Sequence, residues 1–146
     1  MGWQRKRIEA PREPGNWRQF RGMTKVMGMA HRAGAAGQWV RHLFWQNEFV
    51  SHVAELEREP SNPRDPNAIK VIGLIGRKRV HVGYLPSELS EDVNRMGNVP
   101  IAIQTYKVGR EAKPLFTPDR HFAEALLLVP IKKDKVWSNP DAFRPD

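Results

Sequence analysis

The residues best suited to chemistry lie in a short polar stretch, SNPRDPN, between two strand-like segments. Two prolines, Pro63 and Pro66, fix their own backbone angles and keep the preceding residue extended. Arg64 and Asp65 are therefore presented at a stiffened tip. A guanidinium there can bind a phosphate, and a carboxylate can accept a hydrogen bond from a hydroxyl. A surface ion pair of Arg64 with Asp65 or Glu59 is the competing interpretation.

Two asparagines, Asn62 and Asn67, flank this tip. Asparagine side chains readily bond the nearby backbone in turns, so we expect both to be architectural. A loop that only joined two strands could be a two-residue turn. Seven largely polar residues with a charged pair at the tip are more typical of a binding loop.

The segments around the loop predict a small β structure. Before it, Ala54, Leu56 and the stem of Arg58 alternate with glutamates, which is the period of a half-buried strand. From the GYLP motif onward, apolar residues recur every three or four positions, as in a helix, and Gly97 suits the end of that helix. These apolar residues are Leu85, Leu89, Val93 and Met96. We predict strands at 53–59, 68–75, 80–84, 99–108 and 124–130, and one helix at 85–96.

The first 49 residues are harder to assign. Residues 1–37 show no sustained period, and AHRAGAAG is typical of a linker. Trp3, Trp17 and Phe20 argue against complete disorder, because disordered arms are usually poor in aromatics. We predict that WVRHLFWQNEF, residues 39–49, forms the first strand of the domain and its turn, with aromatic residues on both faces.

Charge is unevenly distributed along the 146 residues. Residues 1–41 hold nine lysines and arginines against two glutamates, whereas the remainder is nearly neutral. A basic arm on a neutral domain is typical of nucleic-acid binding, in which the arm attracts phosphates regardless of sequence. A solubilising tail is the alternative.

A second basic segment is the predicted hairpin Gly76-Arg77-Lys78-Arg79. Its three cations either contact phosphates or protect the edge of a strand from pairing with another chain.

Several classes of protein are not supported by the sequence. It has no cysteine, and its five histidines lack the spacing of metal ligands, so we predict no metal and no cofactor. Phosphate-binding glycine motifs and the GxSxG motif are absent, and we predict that the chain is not an enzyme. Without a long apolar run or a secretory leader, a cytoplasmic protein that does not enter membranes is expected.

Two separated motifs, REPSNPRDPNAIKV and VGYLPSEL, resemble the HIRAN domain family. The resemblance covers about residues 39–129. It implies a compact β-barrel of the OB or SH3 kind with one or two short helices, mainly β in class and carrying extended tails. Such domains stand alone in prokaryotes and are fused to fork-remodelling ATPases in eukaryotes. We expect a basic arm or linker at 1–37, the barrel domain at 38–130 and a C-terminal tail at 131–146.

The resemblance also implies a pocket for the 3′ end of single-stranded DNA. Asp65 would accept a hydrogen bond from the terminal hydroxyl, amides of the loop would approach the last phosphate, and Phe44 or Trp45 would stack on a base. Where the family usually has tyrosine, this chain has Arg64, and Ser87 replaces a basic residue found in some members. The predicted nucleic-acid-binding residues are Arg64, Asp65, Asn67, Phe44, Trp45, Arg41, Tyr84 and Ser87.

Two functions therefore stay open at the level of sequence. The first is a monomeric module that binds single-stranded DNA ends, with a DNA-processing enzyme acting in trans. The second is a protein-interaction domain in which the same barrel binds a peptide and the basic arm is incidental. A preference for a free 3′-hydroxyl is required by the first function and not by the second.

Overall fold

The computed structural model describes residues 6–9, 17–46, 53–111 and 120–130. These ranges contain seven β-strands, two α-helices and a 3-10 turn at Met29–Arg32. The elements in chain order are β1 (Arg7–Ile8), β2 (Trp17–Lys25), α1 (Ala33–Gln46), β3 (Ala54–Arg58), β4 (Ile69–Ile75), β5 (Lys78–Tyr84), α2 (Ser87–Arg95), β6 (Ala102–Glu111) and β7 (Arg120–Pro130).

The strands form two antiparallel sheets with the orders β1-β3-β4-β5 and β2-β7-β6. A mainly β fold with two helices is therefore confirmed. Within the described ranges the sheets do not close into a single barrel, but backbone hydrogen bonds join them at two places. At the first, which we call the Met27 join, Met27 and Tyr84 exchange bonds of 2.7 and 2.8 Å, and Val26 N–H donates to Ala123 of β7. At the second, Ile101 N–H donates to the carbonyl of Glu9 at 2.8 Å.

The core lies between the sheets and beneath α1. Strand residues reach it by simple alternation: in β3 the buried positions are Ala54, Leu56 and Arg58, while the glutamates between them face outward. Trp39 of α1 is fully buried, and its indole N–H donates to the carbonyl of Val53 at 2.9 Å. Its ring packs directly on the backbone of Gly73, which leaves no room there for a side chain. The helix is thereby fixed on the first sheet.

The helix α1 corrects the prediction of a strand over residues 39–46; the rest of that prediction, residues 47–49, lies outside the described residues. Ala36, Trp39, Val40 and Leu43 face the core at spacings of three, one and three residues, which is the stripe of a helix rather than the alternation of a strand. Alanine, the strongest helix former, is frequent just before this stripe. The stretch predicted as a linker therefore starts the helix, and its glycines do not interrupt it.

The basic N-terminal region also contributes to both sheets. β1 pairs with β3, and β2 pairs with β7 over most of its length. A bulge between Phe20 and Thr24 interrupts β2, and Arg21 there adopts a φ of 65°. The guanidinium of Arg21 lies 3.3 Å from Asp92 on α2. The division into an arm, a domain and a tail stays a prediction, but deleting residues 1–37 would remove two strands.

The predicted helix after GYLP is confirmed as α2. Leu89, Val93 and Met96 are buried on its inner face. Gly97 follows it at a φ of 70°, a left-handed conformation that glycine adopts without the strain of a side chain. Neither helix in the described ranges combines the length and hydropathy needed to cross a membrane.

Candidate nucleic-acid interface

The loop between β3 and β4 is held by its own polar groups. Its ends are joined by the N–H of Glu59, which donates to the carbonyl of Ala68 at 2.9 Å. Inside it, the Asn62 side-chain oxygen accepts from the backbone N–H groups of Arg64 and Asp65 at 2.9 and 3.0 Å. The Asn62 side-chain amide donates to Glu59 at 2.6 Å. The tip is therefore shaped before any ligand arrives.

Asp65 completes this turn with one of its two carboxylate oxygens. Its Oδ1 accepts from the N–H of Asn67 at 2.9 Å. In the described part of the chain no donor contacts Oδ2, and the side chain is half-buried. One oxygen therefore orients the carboxylate, while the other can accept a further hydrogen bond.

Arg64 is exposed at the same tip. Among the described residues, the predicted alternative of an ion pair with Asp65 or Glu59 is not formed. The carboxylate of Glu59 instead contacts Lys70 at 3.1 Å. The guanidinium of Arg64 is thus presented to solvent beside a partly exposed carboxylate.

Glu59 is a hub that sequence reasoning did not identify as part of the site. Besides Asn62 and Lys70, it accepts a hydrogen bond from the Tyr84 hydroxyl at 2.9 Å. Burial acts to raise the pKa of Glu59, but hydrogen bonds from Asn62, Tyr84 and Lys70 outweigh it and hold this pKa below its ordinary value. The only signal in the sequence was that Glu59 directly follows β3 and continues the alternating glutamates to the point where the loop begins.

Tyr84, at the end of β5, supports the loop through its hydrogen bond to Glu59. Its ring meets that of His81 edge-on, with centroids 4.8 Å apart, and the guanidinium of Arg32 lies 5.8 Å from its centre. Burial and the neighbouring positive charge of Arg32 lower the pKa of His81, which favours the neutral imidazole. The Tyr84 hydroxyl therefore contacts the loop through Glu59, and the side chains of His81 and Arg32 flank its ring.

The helix α2 clamps the other side of the loop. The Asn94 side-chain amide donates to the carbonyl of Asn67 at 2.9 Å, and Asn94 in turn accepts from Arg58 at 2.7 Å. Arg58, which is only 6% exposed, also donates to the carbonyl of Gly97 at 2.6 Å. A buried guanidinium thus ties the end of β3 to the end of α2, and the loop is held between them.

A known sequence family matches the region that contains this loop and helix. The model of the HIRAN domain matches residues 21–104, more than half of the chain. The chain belongs to the HIRAN domain family. No curated protein and no solved structure matches it. The HIRAN match begins within β2, whereas the motifs alone had placed its start near Trp39.

HIRAN domains are nucleic-acid-binding modules and are not themselves catalytic. In this HIRAN domain, the described residues contain no group of three or more histidine, aspartate or glutamate side chains arranged to hold a metal. The loop instead offers a carboxylate that accepts hydrogen bonds and a guanidinium that donates them and attracts anions. They suit binding of a charged polar ligand.

The predicted site residues are only partly gathered by the fold. Arg64, Asp65 and Asn67 share the loop, and Ser87 is exposed in the first turn of α2. Arg41 is exposed on α1, and its guanidinium lies close to Gly37, as does the imidazole of His121 from β7. Phe44 and Trp45 are on α1 rather than on a strand, and their side chains lie outside the described residues. Their role in stacking stays a prediction.

The basic hairpin has a mixed role. Arg79 is bonded to Glu55 and Glu57 at 2.9 and 3.3 Å on the outer face of the first sheet. Arg77 and Lys78 are exposed. One of the three cations therefore stabilises the sheet, and two remain accessible.

Asn62 and Asn67, which the sequence treated alike, should respond differently to mutation. Asn62→Ala removes three hydrogen bonds that shape the loop, and we expect it to lower the stability of the protein by about 1–3 kcal/mol. Asn67 uses its backbone rather than its side chain in the described bonds, so Asn67→Ala should leave the melting temperature nearly unchanged. Thermal unfolding followed by circular dichroism measures both. Equal losses of Tm would contradict the assignment.

The Glu59 hub predicts a pH dependence. Because the folded state lowers the pKa of Glu59, its contribution to stability is present above its ordinary value of 4.5 and is lost as the pH falls below it. The Tm of the wild type should therefore exceed that of Glu59→Gln at pH 7, and the gap should narrow towards pH 3. Glu91→Gln, on the exposed face of α2, is the control and should show no such trend. A gap that widens on acidification would refute this role.

Proposed function

We propose that this HIRAN domain binds the 3′-hydroxyl end of single-stranded DNA through the loop that carries Arg64 and Asp65. The observation that carries the proposal is the geometry of Asp65. Its Oδ1 is fixed by the N–H of Asn67, while Oδ2 meets no donor in the described part of the chain. An ionised carboxylate only accepts hydrogen bonds, and a terminal hydroxyl is a donor.

The negative charge of Asp65 also supports recognition of a hydroxyl group. A negative group on a surface that meets phosphates is repelled by them, so it requires a specific attraction to compensate. A 3′-hydroxyl supplies that attraction, whereas a 3′-phosphate adds negative charge at the same place. Arg64 also supports the proposal, because its exposed guanidinium can bind a phosphate of the DNA strand.

The preformed loop also favours binding. Asn62, Glu59 and the two prolines set its shape in the free protein, so little conformational entropy remains to be lost when a strand docks. We propose no chemical step for this chain. A bound end would be held for a DNA-processing enzyme acting in trans, with the HIRAN domain as a monomer.

The test compares two short oligonucleotides that differ only at the 3′ end. We expect the 3′-hydroxyl strand to bind about tenfold or more tightly than the 3′-phosphate strand, since an unmatched polar contact costs about 1–3 kcal/mol. Fluorescence anisotropy at one fixed salt concentration measures the ratio. An RNA strand of the same sequence tests whether a 2′-hydroxyl is tolerated. Equal affinity for both DNA ends would favour the protein-interaction alternative.

A further inference from the structure

A cavity of about 230 Å³ lies on the α2 side of the loop. The described residues that line it come from the position just before β1, from the end of β3, from both ends of the loop and from α2: Lys6, Arg58, Pro60, Pro66, Asn67 and Asn94. A water molecule occupies about 30 Å³ in the liquid, so the space can hold a much larger group. The two prolines are rigid and apolar, whereas the other four residues are donors of hydrogen bonds.

The polar wall of this cavity is positively charged. Of the described residues that line it, Lys6 and Arg58 are cations and none is acidic. The guanidinium of Arg58 is held in a fixed orientation by Asn94 and Gly97. Burial lowers the pKa of Arg58, which reflects the cost of keeping a cation away from water. An anion in the cavity would be attracted by the positive charges of Lys6 and Arg58.

Lys6 reaches this cavity only through strand pairing. β1 adds to the edge of β3, and the N–H of Arg58 donates to the carbonyl of Lys6. The two cations, 52 positions apart in the sequence, are thereby neighbours. Lys6, which the sequence predicts to lie in a basic arm, therefore lines a cavity beside Arg58.

We infer that this cavity binds a backbone phosphate of the same DNA strand whose 3′ end occupies the loop. Asn67 provides the link, because its N–H orients Asp65 while the residue also lines the cavity. The hydroxyl site and the phosphate site therefore lie against one residue. The apolar walls formed by Pro60 and Pro66 suit the sugar that carries the phosphate. This inference rests on the proposed function and adds a second, anionic anchor to it.

The test neutralises one phosphate at a time. In a short 3′-hydroxyl strand, a single methylphosphonate linkage replaces each phosphate in turn, starting from the 3′ end. We expect wild-type affinity to fall about fivefold at one linkage near the end, the size typical of a lost contact of about 1 kcal/mol. Lys6→Gln should bind the unmodified strand about fivefold more weakly and should be insensitive to neutralisation at that linkage.

Lys25→Gln is the matched control, because Lys25 is an exposed lysine of the same basic region but lies on β2. It should keep the wild-type response to every modified linkage. If Lys6→Gln responds to each linkage as the wild type does, the cavity does not hold a phosphate and the inference is overturned. That failure is separate from failure of the proposed function, which would appear as equal wild-type affinity for hydroxyl and phosphate ends.

Discussion

Replacing Asp65 with asparagine is expected to remove most of the preference for a 3′-hydroxyl end. The asparagine side-chain oxygen can still accept from the N–H of Asn67, so the turn should keep its shape. The second position of the side chain becomes an amide, which donates rather than accepts and carries no negative charge. Affinity for the hydroxyl end should therefore fall, affinity for the phosphate end should rise, and the ratio should drop from about tenfold towards one.

The measurement is fluorescence anisotropy with the two oligonucleotides at a fixed salt concentration, beside thermal unfolding of each variant. Glu91→Gln makes the same change of charge on the exposed face of α2 and should leave the ratio unchanged. An unaltered ratio in Asp65→Asn, with an unaltered Tm, would reduce Asp65 to a turn residue. The hydroxyl would then have to be recognised elsewhere.

Gly83→Ala should cause the largest loss of stability among single methyl additions. A methyl group at Gly83 would lie 2.5 Å from the carbonyl oxygen of Met27 and 2.6 Å from a methyl of Val26. These are the residues of the Met27 join, and a backbone atom cannot move away as a flexible side chain can. We expect a loss of about 1–3 kcal/mol or more, because the join must open or the strand must shift.

Gly34→Ala is the matched control, since no atom beyond the adjacent residues and the helix's own backbone lies within 4 Å of the added methyl group and the residue is in α1. Alanine is favoured over glycine in a helix, so this variant should gain about 0.5–1 kcal/mol. Chemical denaturation of both variants measures the difference. A Gly83→Ala protein as stable as the wild type would show that the Met27 join contributes little to holding the two sheets together.

The Met27 join also changes how the basic region should be tested. The sequence of this region suggests an arm that could be deleted, so that the change in the salt dependence of DNA binding would measure the arm's contribution. Removing residues 1–37 would take away β1, β2 and the join itself, so lost binding would report a damaged fold. Single substitutions such as Lys6→Gln and Lys25→Gln separate charge from architecture.

The sequence by itself determined the elements whose signals are local. Alternation predicted β3, strand-like segments predicted β4 and β5, and helical spacing with Gly97 predicted α2. The two prolines predicted a stiff loop that presents Arg64 and Asp65. Each signal is contained within a few neighbouring residues, because side-chain direction repeats every two positions in a strand and every 3.6 in a helix. The HIRAN motifs lie in this part of the chain.

Only the tertiary structure decided which distant segments meet. Arg7–Ile8 is too short to show a period, and it is a strand because the edge of β3 offers it backbone partners. Glu59 became a hub only when Tyr84 and Lys70 were brought to it by the pairing of β4 with β5. Lys6 and Arg58 share a cavity because β1 pairs with β3. Such contacts depend on register between segments far apart in sequence, and no local pattern encodes that register.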